Sequence, residues 1–242
     1  MISKFIILAL VGICLAKKAI LPIEEGGEKF EEKIETDVEA GTEMYETPDH
    51  CGRKAVRQLI HTKSGLCADR VKGEKTCVIT PSDPAVDRSV HDVENGLEKS
   101  KGKFPYHKVV EVTNKIMLVP FPNPENLPKA IRKFCKGRTI VKGVIENKEE
   151  KELEEKALEI AKAAKKNSRK RAVIREFIAC TGSSTMVIMT CPGEKLEVKC
   201  KIRSSSCTYH VTCPMELQKG GFDCKGLHKF NSAICCDYKC RK

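Results

Sequence analysis

The sequence predicts a small disulfide-rich, mainly β C-terminal domain. It is preceded by a small mixed α/β region, a connecting helix and a disordered acidic N-terminal segment. Three observations carry this reading. Nine of the 14 cysteines fall between Cys180 and Cys240, including the vicinal pair Cys235–Cys236. Residues 17–50 hold 11 acidic and 4 basic side chains, three glycines and no cysteine. Four cysteines, Cys51, Cys67, Cys77 and Cys135, mark a separate region between these two.

Residues 1–16 read as a secretory signal peptide. Lys4 supplies the positive start, Phe5 to Leu15 is a run of apolar or small residues, and Cys14-Leu15-Ala16 presents small residues for a cut after Ala16. The run is too short for a membrane span, which needs about 20 residues as a helix. Secretion implies an oxidising compartment where disulfides persist. Removing Cys14 with the leader leaves 13 cysteines from 14, an odd number that implies a free thiol or a covalent homodimer.

Residues 17–50 carry too few apolar anchors for their charge and are expected to be a disordered acidic or pro-segment. The rest of the chain is basic, so this segment can fold back on it electrostatically. Residues 51–148 form the small four-cysteine α+β region. Within it, Arg53 to His61 reads as a short helix with Ala55, Leu59 and Ile60 on one side. Lys108 to Val119 is β-branched and apolar and predicts a strand. The prolines from Pro120 to Pro124 end it, because proline cannot donate to a ladder. Leu127 to Cys135, with Pro128 early, predicts a second short helix, and Thr139 to Ile145 a strand.

Residues 149–171 combine a charged helix with a basic linker. Leu153, Ala157, Ile160, Ala161 and Ala164 share one face over 149–166, with glutamates crowding the start and lysines the end. The run Lys165 to Arg171 follows, and its Lys170-Arg171 pair is a dibasic processing signal in an exposed linker. Residues 172–242 are the cysteine-rich domain, with strands at Ser184–Met189, Lys195–Ile202 and Thr208–Thr212 and loops at Gly220-Gly221 and around Lys225. It holds 11 basic and 6 acidic residues. A core of this size supplies only about 3–5 kcal/mol, so bridges of roughly 2–4 kcal/mol each decide whether it folds. All 13 remaining cysteines are therefore read as disulfide candidates: Cys51, Cys67, Cys77, Cys135, Cys180, Cys191, Cys200, Cys207, Cys213, Cys224, Cys235, Cys236 and Cys240. Cys235 and Cys236 are expected to bond to different partners.

The order Cys180, Cys200, Cys207, Cys213, Cys224, Cys235, Cys236, Cys240 resembles a single-domain von Willebrand factor type C module. Cys191 is extra to that pattern, and Ser232-Ala-Ile stands where the family has a proline before the vicinal pair. The resemblance covers residues 180–240 and implies a secreted defence, venom or signalling protein.

No catalytic frame is present. There is no G-x-S-x-G, H-E-x-x-H or Gly-rich phosphate loop around any of the six histidines. Asp83, Asp87 and Asp92 lack calcium-loop spacing and read as turn residues. Cysteine spacing does not pair into a zinc site. The reading is therefore a binding protein without catalytic activity, cofactor or metal. A formal charge of +11 points to anionic surfaces, a protein receptor or an ion channel as partners. Nucleic acid is not expected, since stacking platforms are few and tryptophan is absent. The contact residues predicted are Lys219, Lys225 and Lys229, taken as exposed. The expected function is a secreted precursor of a basic toxin, defence or signalling ligand. The alternatives are a disulfide-crosslinked extracellular matrix protein and a protease inhibitor.

Overall fold

The structure is a computed structural model. It describes residues 16–84, 87–145, 177–178, 180, 184–185, 195–216 and 221–241. The predicted helix at 149–166, the processing residues Lys170 and Arg171, Lys219 and Cys191 lie outside the described residues.

Described strands run β1 Lys17–Glu25, β2 Glu28–Asp37, β3 Thr42–Thr47, β4 Val56–His61, β5 Leu66–Val71, β6 Thr76–Pro81, β7 Val109–Pro120, β8 Thr139–Ile145, β9 Phe177–Ile178, β10 Ser184–Thr185, β11 Lys195–Glu216 and β12 Phe222–Arg241. The helices are α1 Val90–Lys99 and α2 Lys129–Phe134. Ten strands make one sheet in the order β1-β2-β3-β4-β5-β6-β8-β7-β12-β11.

The acidic segment is therefore ordered, not disordered as its composition suggests. β1, β2 and β3 form an antiparallel meander and alternate outward charges with inward Leu21, Ile23, Ile34 and Tyr45. Two of the inward positions are themselves acidic, Glu32 and Glu43, which conceals the period of two in the sequence. The helix expected over Arg53–His61 is also a strand, β4. It pairs antiparallel with β3 and β5 along its full length, and sheet pairing overrides its weak helical pattern. The stretch around Asp83–Asp92 is not all loop. Ser89 caps α1, accepting from the Asp92 N–H while the Asp92 carboxylate accepts from the Ser89 N–H.

Strand β8, strand β7 and helix α2 lie where the sequence places them. Pro128 is the N-cap of α2, and Ile131 and Phe134 pack it over Leu59, Ala68 and Ile79 on the outer sheet face. Cys77–Cys135 ties β6 to the end of α2 across 58 residues, a closure worth about 4 kcal/mol in the chain-entropy account.

The two cysteine-bearing regions are not separate layers. β11 and β12 form one long antiparallel hairpin from Lys195↔Arg241 to Glu216↔Phe222, with register shifts at Ile202/Ser204 and Thr212/Met215. Lys195–Ile202 and Thr208–Thr212 thus belong to a single strand, and Lys225 lies in β12 and not in a loop. β12 then joins the sheet by parallel pairing to β7, from Gly226↔Val109 to Ile234↔Met117. One core mixes Leu21, Ile34, Tyr45 and Ile60 with Cys207, Tyr209 and Val211 of β11. The sheet therefore curls so that its opposite ends face each other, with α1 against β11. At that contact a Cβ on Gly96 would stand 2.6 Å from the Val211 carbonyl oxygen.

Candidate functional site

The site is the seam where residues 17–145 grip the hairpin. Its apolar anchor is Tyr209, which is fully buried. Its ring packs edge-on to His228 at 4.7 Å, Phe30 at 5.5 Å and Phe104 at 5.8 Å. Such aromatic pairs add roughly 0.5–1.5 kcal/mol beyond area burial. The Tyr209 hydroxyl donates to Glu25 at 2.5 Å and lies 2.8 Å from His50 Nε2. Gly226 is the close approach beneath this cluster, since a Cβ there would meet the Phe104 ring at 2.5 Å.

Charge is buried around that anchor. Lys229 Nζ lies 2.6 Å from Asp87 Oδ1, with side-chain exposures of 7% and 0%. Burial works against both charges. The Lys229 ammonium still holds the Asp87 carboxyl below its usual range, and Asp87 holds Lys229 above its own. Asp69 accepts from Gln58 at 2.7 Å and from Asn231 at 3.1 Å, yet burial raises its pKa. Arg203 Nε donates to Glu74 at 2.9 Å. Arg53 bonds Glu25 at 2.8 Å and covers the Phe230 ring at 4.5 Å.

Two carboxyls sit deeper. Glu32 accepts from the Thr47 hydroxyl at 2.5 Å and from the Tyr209 backbone N–H at 3.1 Å. Glu43 accepts from the Tyr45 hydroxyl at 2.9 Å. Burial pushes each up to about 8, so both are protonated at neutral pH. His210 faces Tyr45 at 4.4 Å, and burial pushes it down to about 4. Among the described residues, the seam thus sets the deeply buried ion pair Lys229–Asp87 beside carboxyls and an imidazole kept neutral by burial. The Glu32–Tyr209 bond and the Lys54 N–H to Ser205 carbonyl bond at 3.3 Å cover the outer edge of β11, which would otherwise present unpaired backbone.

Lys229, predicted as an exposed contact, is buried in this seam. Its ammonium stays charged because Asp87 compensates the desolvation. Lys225 is exposed. Lys199, Lys201 and Lys239 are also exposed, at the open end of the hairpin beyond the β7 pairing, and sequence reasoning passed over them. The alternation around Lys199 and Lys201, every second residue in a strand, is the signal that marks them.

The disulfides divide by region. Cys77–Cys135 lies within residues 17–145, while Cys180–Cys235, Cys200–Cys236 and Cys213–Cys224 lie within the C-terminal part. Cys240 is likewise disulfide-bonded. The vicinal pair bonds to two different partners. Cys51, Cys67 and Cys207 are free thiols, in contrast to the expected bridges. Cys67 and Cys207 are fully buried in the seam core, and burial pushes Cys207 up to about 12 and Cys67 well above its ordinary value. Such thiols are unreactive hydrophobes.

No protein family, curated protein or solved structure matches the chain. The fold shown is a mainly β, disulfide-braced sheet, and no described helix is long and apolar enough to cross a membrane.

Proposed function

We propose that the chain is a secreted precursor in which residues 17–145 cradle a basic, disulfide-stapled C-terminal hairpin that acts by binding. Cleavage after Arg171 frees it as a defence, toxin or signalling ligand for an anionic surface, receptor or channel. The observation that carries this reading is the partition of the disulfides. None of the four described bridges joins residues 17–145 to the hairpin, so one backbone cut leaves only the non-covalent seam. The two described hairpin strands, β11 and β12, hold eight basic and four acidic residues. Lys199, Lys201, Lys225 and Lys239 are its contact residues, and release uncovers Lys229. While the seam is intact, the acidic groups Glu25, Glu74, Asp69 and Asp87 offset this charge.

The test is the intact mass of the naturally secreted protein, with and without reductant. A product starting at Ala172 that keeps its internal bridges is expected. A chain starting near Lys17 with no such product refutes the precursor reading. Cys51, a half-buried free thiol in the turn after β3, favours a second reading, a matrix protein crosslinked between chains. That reading requires a reductant-sensitive multimer of the uncleaved chain.

A further inference from the structure

The outer face of β2–β5 carries a row of charges that does not close. Cross-strand partners run Lys33↔Glu46, Glu46↔Arg57 and Arg57↔Arg70. Glu46 lies between two cations and takes Arg57 at 2.6 Å. Arg57 and Arg70 then stand directly opposite each other, an arrangement that destabilises a strand pair. Arg138, from the turn between α2 and β8, approaches the same place.

The guanidiniums of Arg70 and Arg138 are fixed without being neutralised. Arg70 Nη1 donates to the carbonyl of Phe134, the last residue of α2, at 3.0 Å, with its guanidinium 5.4 Å from the Phe134 ring. Arg138 Nη1 donates to the Glu74 and Val71 carbonyls. Among the described residues neither makes an ion pair. Arg70 Nε is buried with no hydrogen-bond partner. Burial and the repulsion of Arg138 and Arg57 lower the Arg70 pKa, as expected for a cation lacking its counterion. These groups line a groove of about 340 Å³, in which five cationic side chains outnumber Glu31 and Glu46.

We propose that this groove binds a single tetrahedral oxyanion, a sulfate or phosphate monoester, between Arg57, Arg70 and Arg138. Three guanidinium groups brought from β4, β5 and the α2–β8 turn suit an ester that offers three free oxygens better than a flat carboxylate, which offers two. The carboxylates of Glu31 and Glu46, which line the groove with Glu46 2.6 Å from Arg57, disfavour a densely charged polyanion. The groove belongs to residues 31–138, so its occupancy does not depend on hairpin release.

The test is a thermal-shift and calorimetric titration of the full chain with inorganic sulfate and phosphate, at ionic strength held constant with chloride. A saturable response is expected. It should weaken at least tenfold in Arg70→Gln and Arg138→Gln and persist in Lys129→Gln, an exposed lysine on α2. If Arg70→Gln does not fold, Arg138→Lys serves. It keeps the charge but loses the forked geometry, and should weaken binding while melting like the parent. A sulfated disaccharide and a phosphoserine peptide, titrated in parallel, show which monoester is preferred, and tighter binding of either supports the site. A response no larger than that of chloride, one unchanged in the arginine variants, or tighter binding of a triglutamate peptide overturns the proposal.

Discussion

The hairpin β11–β12 and the meander β1–β6 are both antiparallel, but they are held differently. The meander buries Leu21, Ile23, Ile34, Tyr45 and Ile60 from successive short strands, and the one bridge on its side, Cys77–Cys135, fastens α2 rather than any strand pair. The hairpin is clamped across its two strands by Cys200–Cys236 and Cys213–Cys224, with partners nearly opposite each other. One unit owes its shape to a core and the other to covalent staples. The seam between them is neither, being an aromatic anchor surrounded by buried polar groups. A region stapled in itself keeps its shape when it leaves its partner, whereas a seam of buried charge and protonated carboxyls responds to pH and to single substitutions.

The largest effect is expected from Lys229→Met. It strands the Asp87 charge in the core, and breaking one side of a buried pair costs about 3–5 kcal/mol. Denaturant unfolding of the full chain should show a loss of this size, and Lys229→Met with Asp87→Leu should recover much of it. A single variant as stable as the parent would show that the ion pair does not hold the seam.

Next, Gly96→Ala and Gly226→Ala push backbone or ring atoms apart at the two closest approaches, Val211 and Phe104. Overpacking of this kind costs about 1–3 kcal/mol, or roughly 2–12 °C in melting temperature for a chain of this size. Gly102→Ala, which has open space around it but a left-handed backbone, serves as the comparison. Equal losses at Gly102 and Gly226 would remove the argument for close approach.

The pH response comes third. Glu32 and Glu43 titrate at about 8 in the fold against 4.5 ordinarily, so the folded state holds more protons between those values. Stability falls as pH rises across that window, by up to about 1.4 kcal/mol per pH unit for each carboxyl, and the loss is complete above the folded values. His210, at about 4 in the fold against 6.5, acts in the opposite sense, and its contribution is lost as pH falls from 6.5 to 4. Above pH 6.5 the carboxyl trend stands alone. Melting temperature should therefore drop from pH 6.5 to 8, and Glu32→Gln should flatten the drop. A pH-independent melt across that range would mean that Glu32 and Glu43 ionise freely.

The smallest effect is expected at Ser89, whose side chain caps the helix lying against β11. Ser89→Ala should cost about 1 kcal/mol in thermal or chemical unfolding. A loss near zero would mean that α1 is held by its contact with the hairpin alone.

Much of the N-terminal region is legible where periodicity is clean. Thr139–Ile145, Lys108–Val119 and the Pro128-led helix stand close to their sequence boundaries because β-branched runs and prolines act locally. The seam is barely legible. Glu32 and Glu43 look like surface residues because a carboxyl is charged on paper and neutral only after burial raises its pKa. Lys229 looks exposed for a different reason: it stays charged when buried, and nothing near it in the chain announces its partner Asp87, 142 residues away.

By itself the sequence determined the cysteine-rich, mainly β character of the C-terminal part, the divergent bonding of Cys235 and Cys236, and the local elements β7, β8 and α2. These depend on residue chemistry and on neighbours within a few positions. Tertiary structure alone decided that residues 17–47 are strands, that Cys51, Cys67 and Cys207 stay reduced, and that the hairpin enters the sheet beside β7. Those outcomes depend on burial against groups far along the chain, as where Glu32 of β2 meets the Tyr209 N–H 177 residues away, and parallel pairing and burial leave no mark on either segment read alone.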